Sequence, residues 1–344
     1  MKKIVVREDY PVVETGAGKI RGLEIDDVCV FRGIPYAKAE RFMAPEAPEP
    51  WSGIKECYTW GNACPVGDIM RSNFYCMHRQ WELSEDCLNL NVWTSTLDRD
   101  AKRPVMVWLH GGGYTGGSSI EEYTMEGDVL AGTDRVVVVS VNHRLNYLGY
   151  LDLSGYGPEF KDSANAGMLD IICALQWVRD NIAAFGGDPG NVTLFGQSGG
   201  GAKIMTLMQM PAADGLYHKG IIQSGILLEN DHLRNGGDYA DAIVRELGLD
   251  KETIGQIRTI PFAELSAAGM KAAAEKGVFF MELFGPHPDG VSVLDDYECA
   301  GFREEVKNVP IMAGSCIGEM SVFSVHGEKQ AMFGRNELEN FSEE

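Results

Sequence analysis

No apolar run in this sequence is long enough to cross a bilayer. A membrane helix needs about eighteen apolar residues or more, and even a run such as VVVVSV at 136–141 has only the length of a strand. No spanning segment and no membrane partner are expected. Basic residues are scarce as well. The 344 residues include 30 Lys and Arg against 50 Asp and Glu, a formal net charge of −20, and nowhere do the cations cluster densely enough to follow a phosphate backbone. Nucleic acid is therefore not an expected partner. The eight cysteines, at 29, 57, 64, 76, 87, 173, 299 and 316, form no CxxC pair and have no partnered histidines, which gives a zinc site little support. Buried thiols are expected, and no metal or cofactor is implied. The N-terminus, MKKIVVREDYPVVE, lacks the apolar stretch of a signal peptide because Arg7, Glu8 and Asp9 interrupt it. A cytoplasmic protein is the expectation, in a compartment that disfavours disulfides. Internal repeats, low-complexity tracts and long polar linkers are missing too. Residues 1–344 are thus read as a single domain with insertions around 66–82 and 227–290.

What is present is apolar content of 44%, ample for a large core. The opening, VVETGAGKIRGLEIDDVCVFRGIPYA at 12–37, alternates apolar and polar residues in short runs broken by Gly16-Ala17-Gly18 and Asp26-Asp27, as antiparallel hairpins do. From about residue 104 the pattern changes. Apolar runs PVMVWL, VVVVSVN, NVTLFG, GIIQSG and NVPIMAGS alternate with helical stretches, the signature of a mostly parallel sheet covered by helices on both faces. Residues 163–188 form the clearest helix, with Ser163 as its expected cap and Gly186-Gly187 as its end. Residues 235–280, richer in Ala, Glu and Lys, read as shorter surface helices.

Two glycine-rich stretches carry the chemistry. FGQSGGG at 195–201 fits a GxSxG elbow, with a strand before it and the helix-capable GAKIMTLMQM after it. Small residues around Ser198 let the chain turn sharply from strand to helix, which leaves the hydroxyl exposed and aims the Gly199 amide at a developing oxyanion. A bare GxSxG also fits a serine that merely caps a helix. HGGGY at 110–114 follows the strand PVMVWL and offers the amides of Gly112 and Gly113 as further oxyanion donors.

With both motifs in place the chain resembles the type B carboxylesterases, the family of the cholinesterases and bacterial para-nitrobenzyl esterases. The resemblance runs nearly end to end, through FRGIPYA, RFMAPEAPEPW, SEDCLNLNVW, HGGGY, VNHRLNYLGYL, ALQWVRDNIAAFGGDPGNVTLFGQSGGG and IIQSG. It implies an α/β-hydrolase fold, ester hydrolysis on a small-molecule substrate, and a Ser, Glu, His triad. Ser198 matches the nucleophile. Glu319, in AGSCIGEMSVF, takes the position of the acid, although Gly318 and Met320 depart from the family's loop. The resemblance also implies buried salt bridges at Arg41 with Glu85 and Arg144 with Asp170, and it makes Cys64 and Cys87 the counterparts of a disulfide in secreted members, here expected reduced. Gln197 replaces the usual Glu before the nucleophile. Trp81 is out of register with the choline-binding tryptophan, whose position Met77 holds, so a quaternary ammonium substrate is not supported.

The base is the difficulty. This fold presents its residues in the order Ser, acid, His, and of the seven histidines (78, 110, 143, 218, 232, 287 and 326) only His326 follows Glu319. Its segment, FSVHGEKQAMFG, does not resemble the family's histidine loop. The catalytic histidine, with the last sheet strand and its helices, is expected in a C-terminal portion outside this sequence, either a separate fragment or a second subunit covering an open sheet edge. The alternative is a catalytically silent binding or scaffold protein.

Overall fold

The computed structural model describes residues 2–66, 79, 81–225, 236–277, 283–295, 301–317 and 319. Parts of both expected insertions, including Met77, and the histidines at 78, 232 and 326 lie outside them.

Among the described residues twelve strands build two sheets. They are β1 (Ile4–Val5), β2 (Val12–Thr15), β3 (Gly18–Arg21), β4 (Leu23–Ile25), β5 (Val28–Pro35), β6 (Ile54–Glu56), β7 (Asn89–Thr94), β8 (Arg103–Leu109), β9 (Val137–Val141), β10 (Gly187–Gln197), β11 (Lys219–Gln223) and β12 (Ile311–Gly314). The large sheet runs β1-β4-β5-β7-β9-β8-β10-β11-β12, and β2-β3-β6 form a small one beside it. From β9 to β12 every pairing is parallel, as the alternating runs predict. The antiparallel part reaches further than the opening hairpins, because β7 joins β5 and β9 antiparallel.

Burial explains which runs became strands. β7 and β9 are buried along their whole length, as suits the middle of a sheet covered on both faces. β8 alternates, with Val105, Val107 and Leu109 fully buried. Its other face is half-buried, where Trp108 packs on Phe195 with ring centroids 5.0 Å apart.

Four helices matter for the site. α1 (Ala166–Asn181) and α2 (Gly199–Leu207) pack against the sheet, and α3 (Gly236–Glu246) and α4 (Phe262–Lys276) lie outside it. Ser163 is not the cap of α1. Its hydroxyl accepts from the Leu153 amide at 2.8 Å, and the helix starts after a short 3-10 turn at Ser163–Asn165. α3 and α4 are less superficial than their composition suggests. Tyr239, Ile243, Leu265 and Ala272 are buried in the main core, with the Tyr239 hydroxyl donating to Gly269 O at 2.8 Å.

Both ion pairs form. Arg144 and Asp170 are buried, with the guanidinium Nε and Nη2 at 2.8 and 2.6 Å from the two carboxylate oxygens. Arg41 and Glu85 also pair in bidentate fashion, but Glu85 keeps 36% of its side chain exposed, so this pair is not buried as expected. Cys64 and Cys87 are buried free thiols, and a hydrogen bond between them, with burial, holds Cys87 well above the usual thiol range. Among the described residues no helix is long and apolar enough to cross a membrane.

Candidate active site

Strand register places the candidate residues. Leu109, the last residue of β8, is opposite Gly196 of β10; Gln197 is opposite Gln223 of β11; Gln223 is opposite Gly314 of β12. Ser198, the HGGGY loop, Ser224, Cys316 and Glu319 therefore all lie at one carboxyl edge of the parallel strands, where α/β sheets bind ligands.

Ser198 occupies a conformation serine avoids, φ 54° and ψ −125°, at a cost of order 1–3 kcal/mol. Its surroundings enforce that geometry. The Ser198 amide donates to Gln223 O at 2.8 Å, its carbonyl accepts from Ala202 N at 3.1 Å, and a Cβ at Gly200 would collide with the Leu109 carbonyl. The residue is half-buried, and Gln197 beside it is exposed.

The HGGGY loop packs directly against this elbow. A Cβ at Gly199 would lie 2.5 Å from Gly113 Cα, and one at Gly111 would lie 3.6 Å from Ser198 Cβ. Gly112 and Gly113 both have positive φ, 85° and 60°, which glycine adopts freely. The N–H groups of Gly112 and Gly113 have no acceptor among the described residues. Gly199 is the first residue of α2, so its N–H belongs to the helix's unsatisfied first turn. The loop carbonyls, by contrast, are all engaged. Gly111 O accepts from His110 Nδ1 at 2.8 Å, Gly112 O accepts from the amides of Thr115 and Gly116 at 3.2 and 3.0 Å, and His110 O and Gly113 O accept from Lys203 Nζ at 3.0 and 2.8 Å.

Glu319 is exposed, and its Oε1 accepts from the Cys316 amide at 2.7 Å. The Ser224 hydroxyl, followed by that amide, holds its carboxyl below the usual range. None of the described histidines is placed as a free base beside it. His143 donates from Nδ1 to Arg144 O at 2.9 Å, His218 Nδ1 accepts from the Val192 amide at 3.1 Å, and His287 is buried against Asn165. His110 stacks on His143, ring centroids 4.9 Å apart. Burial, then the Lys203 charge, pushes the His110 imidazole down to about 3. No group of three or more His, Cys, Asp or Glu among the described residues could hold a metal ion.

The neutral His110 has a consequence for stability. Its folded-state value of about 3 lies below the roughly 6.5 of an unfolded histidine, so its contribution is complete above about pH 6.5 and declines as pH falls toward 3. His143 shifts in the same direction, through burial first. We expect the urea midpoint to decline from pH 6.5 to 4 while the native His110 ring resonances stay those of a neutral imidazole; a native ring that titrates near 6 contradicts this.

A serine at a strained strand-to-helix turn beside free glycine amides, at the carboxyl edge of a mixed sheet, defines an α/β-hydrolase. The carboxylesterase family profile matches residues 9–344, and the chain belongs to that family, the type B carboxylesterases. It is 36% identical over 321 residues to the para-nitrobenzyl esterase of Bacillus subtilis, a match that covers 91% of this chain and 64% of that protein. The chain thus spans less than two thirds of that relative's length. Among solved structures, an esterase of Clostridium hathewayi described as able to hydrolyse aliphatic aromatic polyesters superposes with a TM-score of 0.84 at 42% identity, over 99% of this chain and 68% of that one. A carboxylesterase of Geobacillus stearothermophilus superposes with a TM-score of 0.81 at 33% identity, over 96% and 68%.

Proposed function

We propose that this chain carries the acyl-transfer site of a carboxylic ester hydrolase acting on a small-molecule ester. Ser198 is the nucleophile, the amides of Gly112, Gly113 and Gly199 are the oxyanion donors, and Glu319 is the acid of a Ser-Glu-His triad. The histidine of the triad follows Glu319 in chain order and is none of the described histidines. Ser198 Oγ attacks the ester carbonyl carbon as the base takes its proton, and the carbonyl oxygen becomes an oxyanion facing the three amides. The alcohol leaves with that proton. Water then attacks the acyl-serine, which releases the acid and restores the hydroxyl.

The observation that supports this reading best is the pair of acceptor-free amides at Gly112 and Gly113 packed against Gly199, next to a strained serine. Treatment of the protein, in a preparation that includes the histidine-bearing portion, with a para-nitrophenyl alkylphosphonate, followed by peptide mass spectrometry, tests it. A single adduct on Ser198 is expected; an unmodified serine would favour the silent binding protein instead. Gly199→Ala is expected to slow that labelling by about 100- to 1,000-fold, the usual effect of losing one oxyanion donor, because the added methyl group drives Gly113 away from the elbow. Labelling at the wild-type rate would remove Gly199 and Gly113 from the oxyanion site.

A further inference from the structure

Lys203 is fully buried, with no exposed surface. It sits on the helix that Ser198 opens, and its hydrogen bonds among the described residues go to backbone carbonyls of the glycine loop, His110 O at 3.0 Å and Gly113 O at 2.8 Å, with the Glu121 charge acting on it as well. The Tyr114 ring lies beneath it, with its centroid 5.7 Å from Nζ. Taking an ammonium out of water costs several kcal/mol even after the protein relaxes, and an apolar side chain of the same length would fill this space without that cost. The position of the charge is what sets it apart.

In a trans peptide the C=O of one residue and the N–H of the next point in opposite directions across a rigid plane. Holding a carbonyl therefore aims the following amide. Along His110–Gly113 the two inner planes are held from within the loop, Gly111 O by the His110 ring and Gly112 O by the amides of Thr115 and Gly116. The two outer planes are held by one atom, Lys203 Nζ. We propose that Lys203 is a positioning residue of the oxyanion site: its Nζ, carried on the nucleophile's own helix, clamps both ends of the His110–Gly113 stretch and so holds that stretch, with the Gly112 and Gly113 amides aimed from within the loop, in place relative to Ser198. This rests on the ester hydrolase reading above. The clamp links the two halves of the site, so that the elbow and the donor loop shift together rather than independently. A displacement of about 1 Å between reacting groups can cost on the order of a hundredfold in rate.

The test is the rate of Ser198 phosphonylation by a para-nitrophenyl alkylphosphonate at several concentrations, which separates the maximal rate from the concentration giving half of it. Wild type, Ser198→Ala, Lys203→Met and Lys203→Gln are compared, with circular dichroism and thermal melts for each. We expect Lys203→Met to be folded and to lose roughly 100-fold in maximal rate, with half-saturation changed less than about twofold. Lys203→Gln, which keeps a donor able to reach one carbonyl, should fall between it and wild type. A purely structural lysine predicts a different result, in which the folded fraction falls and the surviving protein reacts normally. Wild-type maximal rates in both folded variants overturn the clamp and leave the ester hydrolase reading intact. Failure of both variants to fold assigns Lys203 to the core and overturns it as well. An unreactive wild type, in a preparation that includes the histidine-bearing portion, takes down the hydrolase reading itself, and the clamp with it.

Discussion

Ser198→Ala should lower kcat for a para-nitrophenyl ester about a millionfold in any form of the protein that turns over, since removing the serine of such a triad costs about that much. That is roughly 8 kcal/mol of barrier, far beyond what the remaining amides can supply. The melt should barely move. The backbone of Ser198 is tied to Gln223 and Ala202, whereas its hydroxyl takes part in no hydrogen bond among the described residues. Both quantities are read on the same preparation, hydrolysis by release of nitrophenolate and stability by circular dichroism. Retention of more than about a hundredth of the wild-type rate would move the nucleophile elsewhere.

The largest stability effect is expected at Asp170. Its carboxylate is completely buried and accepts from Arg144 Nε, Arg144 Nη2 and the Arg144 amide. Arg144 Nη1 continues to Met43 O at 2.8 Å and Glu40 O at 3.2 Å, so one guanidinium joins the N-terminal region to α1. Asp170→Asn leaves a buried cation without its counter-charge, which costs about 3–5 kcal/mol. Domains are stable by only about 5–15 kcal/mol in total, so the shift in urea midpoint should be large. The double variant Arg144→Met, Asp170→Leu should recover much of it, because an apolar pair has no charge to strand. A single variant within about 1 kcal/mol of wild type would mean that water or another group compensates Arg144.

How much of this was legible in the sequence depended on whether a residue's role is local. GxSxG and HGGG could be read because their spacing, next to an apolar run, already encodes the turn; register then brings Leu109 and Gly196 side by side. Lys203 was invisible in that sense. In GAKIMTLMQM it reads as one polar residue on a helix, and only the depth of α2 against β8 turns its ammonium toward two carbonyls. A lone lysine among apolar residues five positions after the serine was the available signal. Ser224 escaped notice for a similar reason, since IIQSG reads as a strand end, and its hydroxyl acquires a partner only when Glu319 comes to the same edge. Ser163 failed in the opposite way. Its residue type and position fit a helix cap, but a distant amide, Leu153 N, claimed the hydroxyl. Glu85 pairs as the family resemblance implies, yet exposure depends on what covers it, which no local pattern records.

The backbone at position 198 has a preference of its own. A φ of 54° with ψ at −125° is ground where glycine rests easily and a β-carbon does not. Any screen that rewards heat resistance alone would therefore drift toward glycine there, discarding the hydroxyl proposed as the nucleophile. Robustness and reactivity pull this single codon in contrary directions.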